Sequence, residues 1–399
     1  MANKTEKKKQ TKKEKRLGMD TVSSCEYVSI GHPDSTADAI TSALLDEYLK
    51  KDPNTRYAVE CQIKDFTVNL AGEVTSKARF SKSDIETIVK YTIARIGYSE
   101  EYARMWPKNA TLDASRVTVN QYISKQSPNI AQGVDNDGYG DQGCFVGMAT
   151  GDNHFGHFTE SRWLSQIIGQ MLYAKALNGT LKIGLDIKTL VTVKNDMATQ
   201  VIVAAPMLPK HEKEARKEIN EVVRRIIQHP CEIIINGTGA YVVHSSVGDC
   251  GMTGRKLAVN FYGTDCPIGG GAVFGKDPTK ADVCLNLLAR HLARQTVMQK
   301  SWDKDMRKPF DHLSNRAIIK IHCCIGRKEI GVSLFDGYGR LMCNESKTIP
   351  PSRVIGSLCL RKPIYFDMCL DGLFSKVDAL SILDLSALRK RTAKKGKMA

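Results

Sequence analysis

The chain has 399 residues, 42% of them hydrophobic, and a formal net charge of +15, which is enough apolar content for two or three domains with a substantial core. No run of about 18 uncharged apolar residues is present, and lysines occupy the start where a signal peptide needs an apolar stretch, so a soluble cytoplasmic protein is expected and a membrane-spanning one excluded. The twelve cysteines are scattered without a CxxC pair, which argues against a disulfide scaffold or a zinc ribbon.

The charge is uneven. Residues 1–16 carry eight Lys/Arg against two Glu, leaving +9 for the remainder, so residues 1–20 read as a solvated basic tail rather than a nucleic-acid-binding arm. Past GHPDS (31–35), apolar residues at helical spacing predict a helix from Ser35 to Lys51, stopped at Asp52-Pro53. YAVECQIKDFTVNLAGEVTS alternates apolar and polar positions and predicts two strands ending near Gly72. Ser83 to Ile96 reads as a helix and Val117 to Ile123 as a strand.

From Ser124 to Gly143 the chain is rich in Ser, Gly, Asn and Asp without periodicity, a long loop of the kind that serves as a lid. A second unit follows, with a helix over Glu160–Leu177, strands near Thr189–Lys194 and Gln200–Ala204, and a helix over Glu212–Gln228. A third has a helix over Lys280–Lys300 and strands at Ala317–Cys324 and Gly331–Leu334, before the basic end RKRTAKKGKMA. The expected organisation is tail 1–20, domains 21–128, 129–247 (the gating loop at its start) and 248–385, and tail 386–399. Each domain is mixed α/β.

Three clusters suit a phosphate ligand. GGAVFGKD approaches the Walker pattern, but Asp277 stands where a magnesium-binding hydroxyl belongs, so a true P-loop is rejected. What survives is a glycine-lined backbone with Lys276 and Lys280, on one face if a helix starts at Pro278, and with Asp282 as a possible metal ligand. GDCGMTGRK supplies Asp249, the bidentate phosphate partner Arg255 and the point charge Lys256. GHPDS holds His32 and Asp34 around a proline, a possible hydrogen-bond donor beside a hard oxygen ligand. Each cluster alone reads equally well as an ordinary turn or helix cap.

In this order, GHPDS, GDQGCFVGMAT, GDCGMTGRK and GGGAVFGKDPTKAD resemble the signatures of methionine adenosyltransferases, the S-adenosylmethionine synthetases. SCEYVS, VECQIKDFTVNLAGEVTS, KQSPNIAQGVD, NGTLKIGLDIKTLVTV and NGTGAYVV extend the similarity over about 22–365. The resemblance implies three similar α/β units with pseudo-threefold symmetry, in a homodimer or homotetramer whose active sites lie between subunits. It implies ATP and L-methionine as substrates, with magnesium and potassium as cofactors. His32, Lys188, Arg255, Lys256 and Lys276 would grip the triphosphate. Asp34 and Asp282 match magnesium ligands and Glu60 the potassium site, while Glu26 matches a nucleotide contact. Glu73, Gln126, Asp249 and Lys280 match methionine contacts, Asp249 being shared with ATP, and Asp186, Ala240, Tyr241 and Ala272 fall on the adenosine side.

The match departs from the family pattern at Ser35, where a Lys is usual, at Ala240 in place of an Arg, and at His244-Ser245-Ser246 in place of Gly-Gly-Pro. The gating region is shortened, and DGLFS (371–375) replaces YGHFG. A divergent homologue limited to ATP or triphosphate hydrolysis therefore stays open as an alternative, as does a nucleic-acid-binding regulatory protein on this scaffold.

Overall fold

The computed structural model describes residues 21–126, 137–151, 154–298 and 315–380. The two basic tails and half of the expected gating loop, residues 127–136, lie outside the described residues.

Three four-stranded sheets organise the molecule, and each repeats one scheme. The first contains β2 (Arg56–Lys64), β3 (Thr67–Thr75) and β4 (Thr118–Ser124), with the two-residue strand β9 (Gly251–Met252) at the edge of β2. The second runs β1 (Val22–Val28), β6 (Lys188–Lys194), β7 (Met197–Ala204) and β8 (Glu232–Ile235). The third runs β5 (Gly143–Thr150), β10 (Arg316–Cys323), β11 (Glu329–Asp336) and β12 (Leu341–Thr348). In every sheet an antiparallel hairpin takes an antiparallel edge strand from a distant stretch of chain. The sheets therefore interlock across the expected boundaries near 128 and 247.

A long helix covers each sheet. Helix α1 (Pro33–Lys51) packs on β2 and β9, α3 (Glu160–Leu177) on β1 and β6, and α5 (Ala281–Met298) on β5 and β10. Helices α2 (Lys82–Ile96) and α4 (Glu212–Ile226) are the crossovers that let β4 and β8 run parallel to β3 and β7. The third sheet lacks a crossover, because β11 turns directly into antiparallel β12. The threefold likeness is thus complete in two units and altered in the third.

Local chemistry explains these elements. Strand β2 alternates buried Tyr57, Val59, Cys61 and Ile63 with more accessible Ala58, Glu60 and Gln62, the period-two pattern of a sheet covered on one face. Helix α1 is buried nearly throughout, so its weak amphipathicity reflects a central position. It ends before Pro53, and its Asp46 accepts backbone N–H groups of Tyr365 (3.0 Å) and Phe366 (2.8 Å) at the start of the short helix Tyr365–Asp371. Strands β1 and β5 have no counterpart among the predicted elements. Their short apolar runs, SCEYV and CFVGMA, are buried by helices from elsewhere in the sequence, a placement that local periodicity does not encode.

Candidate active site

The N-terminus of α1 is the first wall of the site. His32 is its N-cap and is almost wholly buried, and its Nδ1 accepts the Asp34 backbone N–H at 3.2 Å. An accepting Nδ1 leaves the ring proton on Nε2. Burial, reinforced by Lys188 and Lys256, lowers its pKa to about 3, so the ring is a neutral Nε2–H donor.

Asp34 is fully buried and joins two of the sequence clusters. Its Oδ1 accepts the Met252 N–H at 2.9 Å, Lys256 Nζ lies 2.6 Å from Oδ2, and Arg255 Nε lies 3.5 Å from Oδ1. This contact requires β9 to pass against α1, and Gly251 permits it, since a Cβ there would lie 2.1 Å from the Pro33 carbonyl oxygen. One helical turn further, buried Asp38 accepts the Gly254 N–H at 2.9 Å. Burial raises its pKa to about 8 against the stabilising Gly254 bond, with Asp34 and Glu60 adding to the rise. Asp38 went unnoticed in the sequence, although its spacing from Asp34 places both carboxylates on one helix face.

The segment 269–282 forms the second wall. Lys276 Nζ pairs with Asp282 Oδ2 at 2.6 Å, and the Gly271 N–H bonds Asp282 Oδ1 at 2.7 Å. Gly270 has φ +72°, and a Cβ there would lie 2.9 Å from Asp282. Helix α5 begins at Ala281, so Lys276 and Lys280 do not share a helical face as expected from a start at Pro278. The reason is Asp277. Fully buried, it accepts the Tyr57 N–H (2.8 Å), the Thr279 N–H (2.8 Å) and Lys280 Nζ (2.9 Å), holding the chain in a turn beside β2. The residue that disqualified a Walker loop is thus the clamp of this wall.

The walls meet. A Cβ on Gly254 would lie 2.8 Å from the Ala272 Cβ, and one on Gly275 would lie 3.3 Å from Thr253. Ala58 bridges to Lys276 on one side and pairs with Glu73 on the other, so both side chains leave the β2–β3 face that also carries Glu60. Burial raises the Glu60 pKa, and Lys276 opposes the rise. Ser124 is paired with Glu73, and Gln126 lies two residues further along that edge. Glu26 lies on exposed positions of β1, and among the described residues no side-chain hydrogen bond or ion pair joins Glu26, Glu73 or Gln126 to the rest.

The third wall is built on Asp186. It is buried, its Oδ2 accepts the Ser245 N–H at 3.0 Å, and its Oδ1 has no partner among the described residues. Burial raises its pKa to about 6, against the Ser245 bond and Lys188, the first residue of β6. The Tyr241 carbonyl accepts from Met207, Ala240 packs at the core margin, and Asp249 ends the short helix Ser245–Gly248. Ser245 lies in the left-handed region at φ +57°. His244, Ser245 and Ser246 are all buried, tied respectively to Ala110, Leu112 and Asp65. This departure from the family pattern is well accommodated. Ser35 is likewise absorbed as a buried residue of α1.

The donor chemistry suits magnesium. Asp34 and Asp282 are hard oxygen ligands, each now neutralised by one lysine, and magnesium is typically held by one or two carboxylates together with phosphate and water. No cluster of three His, Cys, Asp or Glu exists among the described residues, so a metal here would share its shell with a ligand. All twelve cysteines are unpaired, and no helix among the described residues is long and apolar enough to cross a membrane.

The chain is similar to known proteins over most of its length. Residues 20–128 match the N-terminal domain of S-adenosylmethionine synthetase and residues 243–381 its C-terminal domain. An S-adenosylmethionine synthase from Brachyspira hyodysenteriae is 30% identical, covering 88% of this chain and 93% of that protein. A solved structure described as an unusual S-adenosylmethionine synthetase from Campylobacter jejuni superposes with a TM-score of 0.80 at 27% identity, over 92% of this chain and 99% of that one.

Proposed function

The chain belongs to the S-adenosylmethionine synthetase family, and on that premise we propose that it is a methionine adenosyltransferase, forming S-adenosylmethionine from ATP and L-methionine. The carrying observation is that His32, Asp34, Arg255 and Lys256 gather on one wall and Lys276 and Asp282 on an adjoining one, the two segments meeting where Gly254 approaches Ala272.

The methionine sulfur attacks the ribose 5′ carbon as the carbon–oxygen bond breaks, and the electron pair leaves with triphosphate. Water then cleaves triphosphate to phosphate and diphosphate. A thioether loses no proton on attack, so no general base is needed and the barrier lies in alignment and in leaving-group charge. His32 contributes the neutral Nε2–H, suited to the departing oxygen, while Lys188, Arg255, Lys256 and Lys276 stabilise the charge that develops there. Asp34 and Asp282 would hold magnesium, which supplies positive charge to the phosphate oxygens when bound, and Glu60 would serve potassium. With the carboxylates so engaged, Lys256 and Lys276 are free to turn onto phosphate. Asp186, Tyr241, Ala240 and Ala272 face adenosine, with Glu26 at the nucleotide's edge. Glu73, Gln126, Asp249 and Lys280 serve methionine.

The accessible face of the first sheet carries Glu60, Glu73 and Tyr122, the last 69% exposed. A second copy laid on this face would close the site, which supports a homodimer or a dimer of dimers.

The test incubates purified protein with ATP, methionine, magnesium and potassium and measures S-adenosylmethionine by mass. Phosphate release without that product would replace this reading with simple hydrolysis, which Ala240 favours because it brings no charge to the nucleotide side.

A further inference from the structure

His244 is a buried histidine outside the residues assigned above, and both its ring nitrogens are engaged. Nδ1 lies 2.8 Å from the Val242 carbonyl oxygen, which can only accept, so Nδ1 carries the proton. Nε2, 3.0 Å from the Tyr102 hydroxyl, must then accept. The same hydroxyl oxygen receives the Leu185 backbone N–H at 3.2 Å, immediately before Asp186. From the other side, the residue after His244 gives its N–H to Asp186 Oδ2, while the Ser245 hydroxyl accepts from Leu112 (2.8 Å) and donates to the His244 carbonyl (2.6 Å). Trp106 packs edge-on against the imidazole at 4.4 Å, and Tyr98 and Tyr102 complete the enclosure.

One support of Asp186 thus runs through the His244 side chain, and the other through the backbone that follows it. The Tyr102 hydroxyl fixes the backbone that carries the carboxylate, and the segment led by His244 fixes the carboxylate itself. The outcome is an aspartate with one oxygen committed and the other buried without a partner among the described residues, a poised acceptor for hydroxyl donors such as those of a ribose.

We propose that His244 is a positioning residue for nucleoside recognition, orienting Asp186 through Tyr102 and Ser245 while leaving phosphate binding untouched. This rests on the adenosine-side assignment of Asp186. The test compares binding of ATP and of triphosphate, each as its non-hydrolysable imido analogue, by titration calorimetry with magnesium present, in wild type, His244→Ala, His244→Gln and Tyr102→Phe. ATP affinity falls about tenfold in His244→Ala and Tyr102→Phe, triphosphate affinity changes less than twofold, and His244→Gln recovers most of the loss through its amide. Equal weakening of both ligands in folded variants, or unchanged ATP binding, overturns the proposal. Should His244→Ala fail to fold, Tyr102→Phe decides by the same comparison. Wild type that binds triphosphate but gains nothing from the nucleoside removes the assignment of Asp186 itself, and the proposal with it.

Discussion

Lys276 and Asp277 are adjacent and have opposite duties. Lys276 sits on a carboxylate that magnesium would claim, so Lys276→Ala removes charge stabilisation of the leaving group and lowers kcat by roughly a hundredfold or more, with little change in the methionine KM. Near-native kcat in steady-state assays would refute that role. Asp277→Ala instead leaves two backbone N–H groups and Lys280 without their acceptor and costs about 2–4 kcal/mol of stability, read from denaturant unfolding. The sequence made the lysine legible through its glycines. It could not show that the aspartate faces β2, since Tyr57 lies 220 positions away. A third expectation concerns pH. Burial holds the His244 pKa at about 4, below the ordinary 6.5, so between those values the unfolded chain binds a proton that the folded one does not. His244 therefore costs stability progressively as pH falls through that window and costs nothing above it. His244→Gln has no such titration, so its Tm deficit relative to wild type narrows from pH 7 to pH 4.5. A constant deficit would contradict the buried neutral ring.

At the scale of elements, β9 has an importance out of proportion to its two residues. It is an edge strand, a spacer against Pro33 and the source of the N–H on Asp34. Gly251→Ala forces a clash with backbone and displaces the Arg255–Lys256 turn, so both Tm and triphosphate binding fall. Gly356→Ala, in the short helix Pro351–Ser357 with open space around it, is the control and leaves Tm unchanged or slightly raised. Equal effects of the two substitutions would show that β9 does not place the cations. The long helices and hairpins were readable from periodicity because their burial follows from their own residues. Helix α3 spans Glu160–Leu177 as expected, whereas β9 has too few residues to carry a pattern, and the four-residue β8 owes its status to a parallel partner on the far side of the α4 crossover.

For the whole molecule, the open face of the first sheet is the proposed subunit contact. Tyr122 shares a rung with Ala71 and Glu60, so Tyr122→Arg places a charge at the centre of the proposed subunit contact. Sedimentation should then show monomer, and S-adenosylmethionine synthesis should fall with it, while Tm drops little. A dimeric, active variant would move the contact elsewhere. Threefold organisation was partly legible from the recurrence of strand pairs and helices, but the strand exchange was not, because it joins stretches with no shared local signal.

That exchange bears on how the protein is made. A ribosome delivers Asp34 and α1 early, yet β9 and the lysine that neutralises Asp34 emerge more than two hundred residues later. Until then a carboxylate destined for full burial lacks its counter-charge, and the first sheet lacks an edge. The first sheet therefore gains its β9 edge, and Asp34 its lysine, only once the chain has been made as far as residue 256.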